Sequence, residues 1–246
     1  VRLLVLTDIH ANWYALEAVL ASAEGQYDQV ICCGDLVGYN PHPDKVTEWV
    51  QSHCECVIRG NHDKVVAGLE RLDWFNEVAR QAARWTMGNM QTQNISYLRS
   101  LPEGPVATFG LDICHGSPRD EDQYVTNLHE AAESFNSLDG NLLFFGHTHL
   151  QGGFSHTRSK VFSIPAVAKN TDESIFQLAV DTQYMLNPGS VGQPRDGDPR
   201  AAYAIFETEL KVVTLRRVTY PIMKTVTDIR SARLPEILGM RLLHGL

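Results

Sequence analysis

Apolar residues arrive along this chain in short bursts, and each burst before residue 150 stops at a polar cluster. Residues 2–6 read as a first strand, which runs into Thr7-Asp8-Ile9-His10. Leu16, Val19, Leu20 and Ala23 then recur at i, i+3, i+4 and i+7, the spacing of a buried helical stripe, with Asn12 placed to cap that helix. Residues 29–33 predict a second strand ending at Gly34-Asp35, residues 44–51 a second helix, and residues 54–58 a third strand ending in Arg59-Gly60-Asn61-His62-Asp63. Strand, polar turn and helix in repeated order is the pattern of an α/β chain.

The alternation lapses after Leu72. Phe75, Val78, Ala79 and Ala82 make a helical stripe running toward Trp85, and Tyr97, Leu98 and Leu101 predict a shorter helix. Together they define a helical insert over about residues 68–104, placed to cover one side of a cleft. Residues 106–114 hold two strand-like pieces broken at Gly110, the second delivering His115. Leu128, Ala131, Ala132 and Phe135 mark another helix, and the apolar run at residues 142–145 leads into Gly146-His147-Thr148-His149. Short strands follow at residues 160–164, 175–180, 202–206 and 211–219, with a turn-forming loop at 187–197 and a helical tail over 228–246 in which Pro235 stands near a helix start. No repeat and no long linker interrupts the chain, so residues 1–246 read as a single domain.

Composition narrows the function. At 43% hydrophobic and 20% charged residues the chain is an ordinary globular protein. A formal charge of -8 argues against general nucleic-acid backbone binding, yet admits anionic substrates where divalent metals supply local positive charge. Its five cysteines all lie in or beside apolar runs, which predicts reduced core thiols and a cytoplasmic protein. No apolar run reaches the length of a membrane span or of a signal peptide.

The strand ends collect Asp8, His10, Asp35, Asn61, His62, His115, His147 and His149. Carboxylate, imidazole and amide oxygen together suit divalent first-row metals without thiolates. His147 and His149, one residue apart on an extended exit, should point to opposite sides and so serve two neighbouring metals. By itself that pair is equally consistent with histidines that only hydrogen-bond a loop.

The ordered set Asp8-x-His10, Gly34-Asp35, Gly60-Asn61-His62-Asp63, His115 and Gly146-His147-x-His149 resembles the calcineurin-like metallophosphoesterase superfamily. The runs GDLVGYNPHP and NPGSVGQPRDG look like its small prokaryotic YfcE-related phosphoesterases. The resemblance implies a four-layer αββα sandwich, two central mixed β-sheets flanked by helices, with a dinuclear centre at its edge. Asp8, His10, Asp35 and His149 would hold one metal, while Asp35 bridges to a second held by Asn61, His115 and His147. Two divalent ions, Mn favoured over Fe, Zn or Ni, would share a hydroxide that attacks a phosphodiester or phosphomonoester of a small molecule or nucleotide. His62 would protonate the leaving oxygen.

Asp63 either orients His62 or serves as a cap or surface residue. Arg195 either clamps a substrate phosphate with its planar fork or pairs with Asp196 or Asp198. Asn12 either touches substrate or only caps its helix. Gly38 and Tyr39 stand where protein Ser/Thr phosphatases carry the Asp and Arg of GDxxDRG, which counts against that activity. The rivals are a nucleotide or protein phosphatase, a non-catalytic scaffold of the same fold, and a mononuclear or metal-sensing protein. Tyr39, His42, His53, His129, His156 and His244 read as structural or surface residues.

Overall fold

Strands β1 (Arg2–Leu6), β2 (Gln29–Cys32) and β3 (Cys56–Val57) run parallel, joined through helices α1 (Trp13–Ala23) and α2 (Pro43–His53). The computed structural model describes residues 1–158 and 160–246. Helix α3 (Asn61–Val66), a 3-10 turn at Leu72–Trp74, α4 (Glu77–Asn89) and α5 (Thr92–Ser100) follow. The chain then forms β4 (Val106–Thr108), β5 (Leu111–Ile113), α6 (Leu128–Phe135) and β6 (Leu142–Phe144). Six further strands complete the sheets: β7 (Gly152–Thr157), β8 (Lys160–Ile164), β9 (Glu173–Gln177), β10 (Gln183–Asn187), β11 (Ala201–Glu207) and β12 (Val212–Val218). Helices α7 (Ile222–Ser231) and α8 (Glu236–His244) close the chain.

Two mixed six-stranded sheets result, ordered β3-β2-β1-β11-β12-β9 and β4-β5-β6-β10-β7-β8. Strand pleating explains how they stack, because successive side chains face opposite ways. Leu3 and Val5 of β1 join Phe144 and Leu186 of the other sheet in one apolar cluster, while Leu4 and Leu6 pack on Leu16 and Val19 of α1. On the second sheet Leu143 and Phe145 turn the other way, onto Ala131 and Phe135 of α6. The layers are therefore helix, sheet, sheet, helix, as the resemblance implied. Cys32 and Cys33 divide between the same two faces, and all five thiols are free.

Several boundaries differ from the sequence pattern for identifiable reasons. The third strand shrinks to two residues, since the Cys54 N–H donates to Val50 O and caps α2. The β9 strand ends at Gln177, short of the expected residue 180. The tail is two helices broken around Arg233, which has a φ of 57°, with Pro235 capping α8. Strands β7 and β10 were not signalled: β7 opens on Gly152-Gly153, and a Cβ on Gly153 would strike the Met185 carbonyl of β10. Among the described residues no helix is long and apolar enough to cross a membrane.

Candidate metal centre

The exits of β1, β2, β5 and β6 are locked to one another by their own backbones. Asp8 N–H donates to Gly34 O at 3.0 Å, His10 N–H to Asp35 O at 3.0 Å and Ala11 N–H to Leu36 O at 2.8 Å. Gly146 N–H reaches His115 O at 2.8 Å, and Gly192 N–H reaches Asp8 O at 2.9 Å. Along these exits Asp8, His10, Asp35, His147 and His149 have φ of 51°, 47°, 55°, 65° and 60°, a left-handed region that costs about 1–3 kcal/mol per residue. His147 and His149 do serve different clusters, but strand pleating is not the cause: the chain has left β6 at Phe144 and both residues are left-handed. Gly60 is required by close approach, because a Cβ there would collide with the Asp35 carboxylate.

Two buried groups of ligand-type atoms emerge, Asp8, His10, Asp35 and His149 in one, Asp35, His115 and His147 in the other. Within each group the atoms lie within 4.8 Å of one another. Asp35 Oδ2 is shared, standing 3.4 Å from His10 Nε2 and 3.4 Å from His115 Nε2. Asn61 Oδ1 lies 3.3 Å from His115 Nε2, which brings it to the second group. Asp8 Oδ1 is 3.4 Å from His149 Nε2.

The tautomers show that cations fit. Carbonyls only accept, so His10 Nδ1 donates to Val37 O, His115 Nδ1 to Cys33 O and His149 Nδ1 to Gln193 O. In neutral rings the Nε2 lone pairs of His10 and His149 then face each other at 3.1 Å, an arrangement that a shared cation satisfies. His147 has the opposite tautomer, its Nε2 donating to Asp122 O at 3.0 Å and leaving Nδ1 for the cluster. Charge tells the same story. Burial holds the imidazoles of His10 and His149 well below their usual range and pushes His147 down to about 3, so all three favour the neutral, ligating form. Burial lowers the His115 imidazole, but the Asp35 carboxylate together with Asp8 and the bond to Cys33 O more than offsets it and takes the group up to about 10, so a positive charge fits beside Asp35.

His62 enters α3 beside Asn61, packs against Tyr39 and Phe75 at ring separations of 4.4 and 4.5 Å, and leaves its buried Nδ1 without a hydrogen-bond partner among the described residues. Asp63 makes no bond to His62 among the described residues. Its buried carboxylate accepts from the amides of Gly60, Leu36 and Val37 at 3.0–3.2 Å, tying the α3 start to the β2 exit. That is capping work, and surface exposure is excluded. Asn12 likewise spends its whole amide on the protein: Nδ2 donates to Gly192 O and Tyr220 Oη, while Oδ1 accepts from Ala15 N and Thr225 Oγ1. Asn12 does not line the cleft.

Arg195 does. Asp196 pairs with Arg217 and Asp198 with Arg200, so neither takes Arg195. Its guanidinium instead donates to Tyr39 Oη at 3.1 Å and Gln193 Oε1 at 3.0 Å. Tyr39, read from sequence as structural, is thus part of the site, its ring 4.7 Å from that of His10. A cleft of about 520 Å³ opens over the two groups, walled by Lys64, Trp74, Phe75 and Tyr124 as well. None of these four was singled out as a site residue, and a helical stripe gives no sign that Trp74 is 83% exposed at a rim.

Residues 1–211 match the calcineurin-like phosphoesterase superfamily domain. A metallophosphoesterase from Sphaerobacter thermophilus has a similar crystal structure, with 39% identity and a TM-score of 0.87 over 100% of this chain and 99% of that one. An uncharacterised protein of Methanocaldococcus jannaschii, MJ0912, is 34% identical across 98% of this chain and 97% of its own length. The fold is also that of the hypothetical protein PH1004 from Pyrococcus horikoshii OT3, with 20% identity and a TM-score of 0.79 over 100% of this chain and 98% of the other. The chain belongs to the calcineurin-like phosphoesterase superfamily.

Proposed function

We propose that this protein hydrolyses phosphoesters of small molecules, diesters or monoesters, at a pair of divalent cations. The observation that carries this reading is Asp35 Oδ2, equidistant at 3.4 Å from a histidine of each group and so placed to bridge. Asp8, His10, Asp35 and His149 would hold one cation, and Asp35, Asn61, His115 and His147 the other. When bound, the cations offset the charge of a phosphate and make water acidic enough to attack it near neutral pH. Oxygen and nitrogen donors without thiolate suit Mn²⁺.

The other steps belong to side chains. His62 delivers the proton to the departing oxygen; burial pushes it down to about 4, and a phosphate anion beside it favours the imidazolium again. Arg195, without a carboxylate partner among the described residues, donates to phosphate oxygens. Trp74, Phe75 and Tyr124 flank the organic part of the substrate, and the helical stretch within residues 68–104 serves as the cover of the cleft. Fully buried free thiols at Cys32, Cys33 and Cys114 support a reducing, cytoplasmic setting.

The test is turnover of a chromogenic phosphodiester and its monoester by metal-stripped protein reloaded with Mn²⁺, beside His62→Ala. The expected result is metal-dependent turnover that drops by about 10²–10⁴-fold in the variant. Absence of turnover on either ester, with two cations bound, would overturn the reading.

A further inference from the structure

The four histidines of the two groups are not held alike. His10, His115 and His149 donate to carbonyls of Val37, Cys33 and Gln193, and two of those carbonyls belong to the exit of β2. His147 donates to Asp122 O, in the segment between β5 and α6 that has neither strand nor helix of its own, and Tyr124 of that segment stacks on its ring at 4.0 Å.

Side chains from α3 and the residue run before it pin that segment. Lys64 Nζ lies 2.6 Å from Asp122 Oδ2 and 2.9 Å from Glu121 Oε1, and Lys64 is 6% exposed. Arg59 grips Glu121 with Nε at 3.0 Å and a terminal nitrogen at 2.9 Å. A buried ammonium held by two carboxylates is a strong, charge-assisted tether. Lys64 follows Asn61 by one helical turn, so the same short helix carries a ligand of the second group and the anchor of that group's most exposed histidine.

We propose that Lys64 is a positioning residue for the second cation. It fixes the Asp122 carbonyl against His147 Nε2, and so keeps His147 Nδ1 turned toward Asp35 and His115. This inference rests on the reading of Asp35, Asn61, His115 and His147 as ligands. Its consequence is unequal retention: the first cation is held by a locked strand edge, whereas the second exchanges whenever the Lys64 tether releases the segment. Although Lys64 lines the cleft, its ammonium is committed to Glu121 and Asp122 rather than free for substrate.

The experiment is calorimetric titration of the metal-stripped full chain with Mn²⁺, with spin coupling between the two ions as an independent signal of the pair. Lys64→Met keeps the stem and removes the ammonium; Glu121→Gln discharges one of its two carboxylate partners, which Arg59 shares, with little change of volume, and circular dichroism checks that each is folded. Both variants should weaken the second cation by about 10–100-fold, the cost of losing an outer-sphere partner, and leave the first unchanged. Lys64→Arg should restore much of the loss, and His147→Ala should abolish the second event. Wild-type binding in Lys64→Met and Glu121→Gln, with the second event lost in His147→Ala, would overturn the role of Lys64 and leave the ligand reading standing. Equal weakening of both cations would also overturn it, as a general effect on folding. Two unchanged events in His147→Ala would instead defeat the ligand reading, and this inference with it.

Discussion

Between the two sheets the protein is apolar and regular, and at the ends of the same strands it is polar, equally buried and left-handed. Leu3 and Val5 of β1 meet Phe144 and Leu186 across the sandwich, all of them fully buried, with alternate residues turned to the helices. A few residues further on, Asp8 and His10 are just as deeply buried, though both are polar. The first kind of burial stabilises the fold, by roughly 25 cal/mol for each Å² of apolar surface removed from water. The second works against it, since a charge or lone pair taken out of water must find a partner. Stability and cation binding should therefore come apart under mutation.

The largest effect belongs to the core. Phe144→Ala removes a fully buried ring that also faces Phe206, and should cost about 3–5 kcal/mol in denaturant unfolding, while the folded fraction still takes up metal. A variant that lost metal binding but kept its stability would break the distinction.

Asp8→Asn should do the reverse. Burial pushes the Asp8 carboxyl up from 3.8 to about 7, so the fold holds a proton that the unfolded chain releases, and the Asp8 contribution to stability falls as pH rises between those values. In metal-stripped protein at pH 7 the variant should melt at or above the wild-type temperature, with a flatter pH dependence between 4 and 7. Its affinity for the first cation should drop sharply. A fall in melting temperature would mean that Asp8 supports the fold as well as the site.

Trp74→Ala probes the rim, which belongs to neither kind of burial. Because the indole is exposed, stability should change by no more than about 0.5 kcal/mol. KM for an aromatic phosphoester should rise, by about tenfold if one face of the ring stacks on the substrate, with kcat little changed. Comparison with an aliphatic ester sharpens the result, since KM for that substrate should stay near its wild-type value.

The same contrast explains what could be read from the chain. Alternating apolar residues in β1 and the i, i+3, i+4, i+7 stripe of α1 announce themselves because each reports its own burial. The polar clusters at Asp8, Asp35, Asn61, His115 and His147 stood out for the opposite reason, as ligand-type residues where core was expected to end. Long-range pairings leave no such local trace. Lys64 follows directly on a cluster of ligand-type residues, and its partners lie 57 and 58 residues away. Asp63 could as well orient His62, cap a helix or lie at the surface, and only the structure shows that three backbone amides claim it. Helix α3 was hidden because its first residue is the candidate ligand Asn61 and its six residues are too few for a periodic pattern. The left-handed backbone of the site residues was scarcely more visible, since the enrichment of aspartate and histidine at positive φ is too weak to mark a given residue.

On the geometry above, one carboxylate, Asp35, joins the two ligand groups. Counting Mn²⁺ bound by calorimetry to metal-stripped wild-type protein and to Asp35→Asn tests it most directly. The wild type should bind two ions and the variant at most one, weakly held. Two ions bound by Asp35→Asn with wild-type affinity would contradict it.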